Sequence, residues 1–170
     1  MSVALLGFIT IVIFIIHEFE EIICFKCWIQ KHKNDKKYQK HLLIRCQWAY
    51  LSTQTIAIII FEEFLLMALF LSLAIILNSY EIGLAVVIVN AFHLAGHIID
   101  AIHYKALTPG SKTAIFTLLA NISLIIFIFC NEKINLLSLF ILVFFFGILA
   151  AVNLLFMQKN AGWIEHWRTK

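Results

Sequence analysis

His17, Glu18, Glu20 and Glu21 fall within the stretch IIHEFEEII, residues Ile15 to Ile23, directly after an apolar run from Val3 to Ile16. Imidazole and carboxylate groups at this density can bind a divalent metal or carry general acid–base chemistry. At about 100° per residue, His17, Glu20 and Glu21 stand at i, i+3 and i+4 on one helical face. Thr10, Cys24 and Trp28 extend that face, while Glu18 points about 100° away. A second set lies in VNAFHLAGHIIDAIHY, where Asn90, His93, His97, Asp100 and Tyr104 share an arc of about 80° and His103 lies off it. A third is the pair Glu62 and Glu63 in IIIFEEFLLM; adjacent residues on a helix diverge, so only one can face a shared site.

The elements that must position these groups are membrane helices. The chain has 170 residues, 62% of them hydrophobic and 14% charged, with a mean hydropathy of +0.94. Soluble domains carry about 25% charged residues. Six Gly and one Pro argue for long uninterrupted helices, and the alternating segments of a transmembrane β-barrel are missing. Spans of roughly 20 apolar residues are expected at Val3–Cys27, Tyr50–Leu77, Ile82–His103, Thr113–Cys130 and Leu136–Met157. The fold class is therefore all-α: one polytopic bundle of about five transmembrane helices in a single domain, residues 1–170. The first apolar run lacks a basic start and a small-residue cleavage site, so it is read as a retained helix and not a signal peptide.

Charge sets the expected orientation. Lys26, Lys31, Lys33, Lys36, Lys37, Lys40 and Arg45 follow the first span, Lys105 and Lys112 the third, and Lys159, Arg168 and Lys170 the fifth. With the N-terminus outside and the C-terminus inside, every Lys and Arg except Lys133 is cytoplasmic, as the positive-inside rule requires. The expected location is a bacterial plasma membrane. Trp163 and Trp167 in the tail GWIEHWRTK suit a headgroup-level anchor. Cys24, Cys27, Cys46 and Cys130 form no secreted disulfide framework. The CFKC spacing of Cys24 and Cys27 suits zinc or redox chemistry, yet no second such pair follows.

Buried ionisable residues in a span are costly and usually face the bundle interior with a partner. At 1.5 Å per residue, His17 lies ~22 Å from the outer end of its helix, His97 ~22 Å, His93 ~17 Å and Glu62 ~22 Å. Three helices thus bring polar residues to one depth, which points to a shared site. A divalent cation would turn the buried carboxylates into ligands and offset their desolvation. His17, Glu20, Glu21, Glu62, His93 and His97 are the candidate ligands, for zinc or iron, with manganese also suited. Glu20, Glu21, Glu62, Glu63 and Asn90 are the candidate catalytic groups. One open zinc site and two bridged metals both fit these residue types. Without metal, the same residues make a proton-sharing knot that fixes helix packing. Asn90 suits either a substrate contact or interhelical hydrogen bonding, and Asp100 a partner for a His ring N–H.

The motifs also resemble a known family. HEFEE fits the His-x-x-Glu-Glu signature of the HXXEE-domain membrane proteins, and NAFH and TPGSKT are similar to that family's Asn/His motif and Pro-Gly loop. They occur in the family's order, from about Ile16 to Thr113. The resemblance implies signature positions at His17, Glu20, Glu21, Asn90, His93, Pro109 and Gly110, with His97 a rival to His93. Leu107 stands where the family would place an aromatic, with Tyr104 one turn earlier. The family brings no settled activity, so the resemblance implies a site and not a reaction.

The expected function is a metal-dependent membrane enzyme acting on a lipid-like or membrane-embedded substrate, hydrolytic before di-iron oxidative. FEEF invites comparison with Glu-Glu/His intramembrane proteases, but Met67 replaces their usual Arg. The alternatives are a small metal or proton transporter, and a non-catalytic scaffold. The partners expected are the bilayer and a second copy of the chain. No nucleic-acid platform, phosphate loop or nucleophile elbow is present.

Overall fold

The computed structural model describes residues 1–45 and 51–169, and the secondary structure there is helical throughout. The elements are α1 (Val3–His32), a 3-10 turn (Lys36–Tyr38), α2 (Leu42–Arg45), α3 (Thr53–Ile76), α4 (Tyr80–Tyr104), α5 (Ser111–Asn131) and α6 (Leu136–Arg168). All but α2 and the 3-10 turn are long and apolar enough to cross a membrane, which makes five spans. Cys46 and the expected helix start at Tyr50 lie outside the described residues.

Short polar side chains start these helices. Ser2, Ser52, Ser79 and Asn135 each accept a hydrogen bond from a first-turn backbone N–H, at Leu5, Thr55, Ile82 and Ser138. Gly110 starts α5 in the left-handed conformation without a side-chain cap. Two helices run further than their apolar stretches: α1 past Cys27 to His32, and α6 past Met157 to Arg168. Hydropathy marks where lipid ends; the helix continues because no Pro interrupts it. Trp163 and Trp167 point outward from this extension, while Glu165 between them accepts hydrogen bonds from the Ser52 N–H and hydroxyl at 2.8 Å each. That contact ties the end of α6 to the start of α3.

Adjacent long helices alternate in direction. Tyr80 donates to the Met1 carbonyl at 2.6 Å and Glu81 accepts from the Asn135 N–H at 3.1 Å, which gathers the α1 start, the α4 start and the α6 start at one end. α4 is the most connected element, packing on α5, α6, α3 and α1. The buried apolar side chains divide into two clusters. Leu6, Leu71, Leu84, Val87 and Ile128 belong to one, and Phe25, Ile29, Ile56, Met157 and Ile164 to the other. On α1 and α3, the polar residues fall in sequence between the members of these clusters. Large apolar side chains such as Phe8, Ile23, Ile76 and Phe116 point outward, as a lipid-facing surface requires.

Candidate metal centre

The shared depth read from three helices has a counterpart in a compact group of side chains from α1 and α4. His17 is fully buried and Glu21 is 5% exposed on α1; His93 and His97 approach from α4. One donor atom from each of these four residues lies within 4.8 Å of all the others. His97 Nε2 is 2.9 Å from Glu21 Oε1, and His17 Nε2 is 3.8 Å from the same oxygen. His97 Nε2 is 3.2 Å from His93 Nε2. The ring centroids are 4.7 to 5.3 Å apart.

Hydrogen bonds on the far side of two rings fix which nitrogen faces inward. His97 Nδ1 is 3.1 Å from the Pro109 carbonyl, which can only accept. The proton of a neutral His97 therefore sits on Nδ1, and the Nε2 lone pair turns towards Glu21 and His93. Thr113 donates its hydroxyl and its N–H to Glu20 Oε2, each at 2.7 Å, and its oxygen lies 3.1 Å from His17 Nδ1. With the hydroxyl proton committed to Glu20, Thr113 accepts from His17 Nδ1–H, and the His17 Nε2 lone pair also points inward. His17 Nε2 and Glu21 Oε1 are both buried, and although they lie close to each other and to His97 Nε2, neither makes a hydrogen bond. Buried polar atoms are normally satisfied, and one that is not calls for a water or an ion as partner.

The donor set fits one small divalent cation. A tetrahedral ion with bonds of about 2.0–2.1 Å spaces its ligand atoms ~3.4 Å apart. Three of the six donor separations, 2.9, 3.2 and 3.8 Å, bracket that value, and all six lie within 4.8 Å.

The remaining sequence candidates lie elsewhere. Glu20 is turned to Thr113, so it orients His17 at one remove. Glu62 accepts from Asn153 of α6 at 2.7 Å and does not join the group. Glu63 and Asn90 instead line a cavity of about 380 Å³ bounded chiefly by α3, α4 and α6, which His93 also borders. Asp100 pairs with His41 at 2.8 Å, leaving the site histidines alone. Two residues of the site escaped the sequence reading. Glu18 is 3% exposed, and its Oε1 lies 3.5 Å from His93 Nε2, because α4 packs against the flank of α1 that helical angle alone assigned elsewhere. Its signal was a fourth ionisable group in a span. Thr113 sits in the first turn of α5, three residues beyond Gly110, where its N–H is free for a carboxylate.

Gly110 closes the site. Its φ is +80°, and a Cβ there would lie 2.6 Å from Glu21 Oε1 and 2.8 Å from His97 Nδ1. The Pro-Gly loop thus meets the His/Glu cluster backbone-first.

The Thr113 relay makes a prediction. Thr113→Val should weaken metal binding about 10–100-fold, the usual cost of losing an outer partner of a ligating His, and Thr113→Ser should keep it. Competition against a chromophoric chelator measures this; equal affinities for the Val and Ser variants would remove the relay from the site.

These features describe a multi-pass helical protein with a buried His/Glu cluster. The family model described as "Protein of unknown function with HXXEE motif" matches residues 8–125, and the chain belongs to that family. No curated protein and no solved structure matches it.

Proposed function

We propose that this protein is a metal-dependent membrane hydrolase with one catalytic cation held by His17, Glu21, His93 and His97. The observation that carries the reading is the convergence of these donors, with His17 Nε2 and Glu21 Oε1 buried and making no hydrogen bond. Three imidazoles and a carboxylate suit zinc first, with iron and manganese able to occupy the same set. One ion is favoured over two. A pair of ions about 3.5–4 Å apart would need further bridging carboxylates, and Glu20 and Glu62 are committed to Thr113 and Asn153.

Four protein donors would close a tetrahedral zinc site, so hydrolysis would need one of them to yield its place to a water or a substrate carbonyl, which the metal would polarise. Glu18, buried with Oε1 3.5 Å from His93 Nε2, is the group positioned to take a proton. In hydrolysis it removes a proton from water as the oxygen attacks an acyl carbon. It returns that proton to the leaving oxygen or nitrogen when the acyl bond breaks.

The membrane orientation proposed has the N-terminus outside and the C-terminus in the cytoplasm of a bacterial cell, on the distribution of Lys and Arg. The five long helices run unbroken, which tells against a carrier, since carriers usually bind ions at discontinuous helices.

Elemental analysis by mass spectrometry on protein purified in mild detergent tests the reading, with His17→Ala and Glu62→Gln beside the wild type. The wild type and Glu62→Gln should hold about one metal per chain, and His17→Ala almost none. Protein that stays metal-free after exposure to zinc, iron and manganese would leave the cluster as a proton-sharing knot.

A further inference from the structure

The cavity beside the cluster has a polar end and an apolar body. Glu63, Asn90 and His93 form the polar end, and Met67, Phe70, Val86 and Phe146 lie among the apolar walls. Asn90 lines this cavity and is 4% exposed, and its buried Nδ2 donor has no hydrogen-bond partner. His93 belongs at once to the cavity wall and to the ligand group, so whatever fills the polar end abuts the cluster.

The rim lies at lipid depth. Phe92 on α4 is 67% exposed and Ala151 on α6 is also exposed, and both border the cavity. Phe92 sits midway along a membrane-spanning helix, so an opening there meets hydrocarbon and not water. Entry is lateral.

The charge and the size of the space narrow the occupant. Glu63 is acidic, and no Lys or Arg lines the cavity among the described residues, so no lysine or arginine is there to pair with a phosphate or sulfate headgroup. An uncharged carbonyl oxygen, by contrast, accepts from Asn90 Nδ2. A volume near 380 Å³ is at the small end of ligand sites, which run from about 300 to 1,000 Å³. That suits one alkyl chain better than two.

We infer that this cavity binds an uncharged, single-chain acyl amphiphile, an ester or amide, that enters sideways from the bilayer and presents its carbonyl to Asn90 and the cluster. This rests on the hydrolase reading for its chemistry but not for its binding, and the two can be tested apart. Gly147 borders the cavity with nothing within 4 Å of where its Cβ would stand, so a larger side chain there grows into the space without a clash at its base.

The probe is a monoacylglycerol carrying a diazirine on its chain, photolysed with zinc-exposed protein in phosphatidylcholine nanodiscs. Crosslinks are expected on the α4 and α6 residues that line the cavity. Gly147→Phe should cut them sharply, because the ring takes up space the ligand would fill, while metal content stays at the wild-type level. Ala150→Leu, a smaller filling of the same wall, should also reduce labelling, and it serves as the readout where Phe disturbs packing. Crosslinks spread over the outer helix faces and indifferent to both substitutions would overturn the proposal. So would stronger labelling of the same residues by a two-chain phosphatidylcholine probe. Labelling confined to the cavity in protein that holds no metal would keep the binding site and sink the hydrolase reading.

Discussion

Gly110→Ala is expected to abolish metal binding, although the new side chain is a single methyl group. Two costs add at this position. A non-glycine residue at φ +80° occupies the left-handed region, at about 1–2 kcal/mol. The methyl carbon would also stand 2.6 Å from Glu21 Oε1 and 2.8 and 3.0 Å from His97 Nδ1 and Cε1, closer than such contacts allow. Glu21 can swing its carboxylate away only by giving up its place beside His97. His97 can retreat only by breaking its bond to the Pro109 carbonyl, which fixes its tautomer. Retreat of the loop instead carries off Pro109 and, one turn into α5, Thr113. Each relief dismantles part of the proposed metal centre. Metal content after saturation with zinc reads this directly, and a variant with the wild-type stoichiometry would show that the loop is not packed on the ligands as described.

Metal removal is the second large effect expected. Stripping the ion leaves Glu18, Glu21 and three imidazoles packed together below the membrane surface, with two buried carboxylate oxygens and one buried ring nitrogen making no hydrogen bond. An ion present at 1,000 times its dissociation constant stabilises the folded state by about 4 kcal/mol. For a chain of this size that is on the order of 10 °C in Tm. Chelated protein should therefore melt well below zinc-loaded protein in the same detergent, and zinc should restore the loss. Glu21→Gln, which replaces the only carboxylate of the four-residue group, should show little response to either treatment. Identical melting of stripped and reloaded wild type would mean that these residues satisfy one another without an ion.

Much of this arrangement was open to reading before any coordinates. The five spans follow from hydropathy, since every backbone group in lipid must be paired and a helix does this within itself. His17 with Glu21, and His93 with His97, were recognisable as pairs because i and i+4 share a face whatever the helix packs against. Their common depth followed from the fixed rise per residue. The Pro-Gly loop stood out as a turn between spans, but nothing in its letters placed it against Glu21.

The amino-acid sequence by itself determined the helices, the angular position of each side chain about its own axis and its depth along it. Only the tertiary structure decided how each helix is rotated towards its neighbours. That rotation sends Glu21 to the cluster and Glu20, one residue away, to Thr113. It brings Glu18 to His93 and directs Glu62 to Asn153 while Glu63 borders the cavity. Rotation depends on packing between residues far apart in the chain, and helical periodicity, a purely local property, carries no information about it.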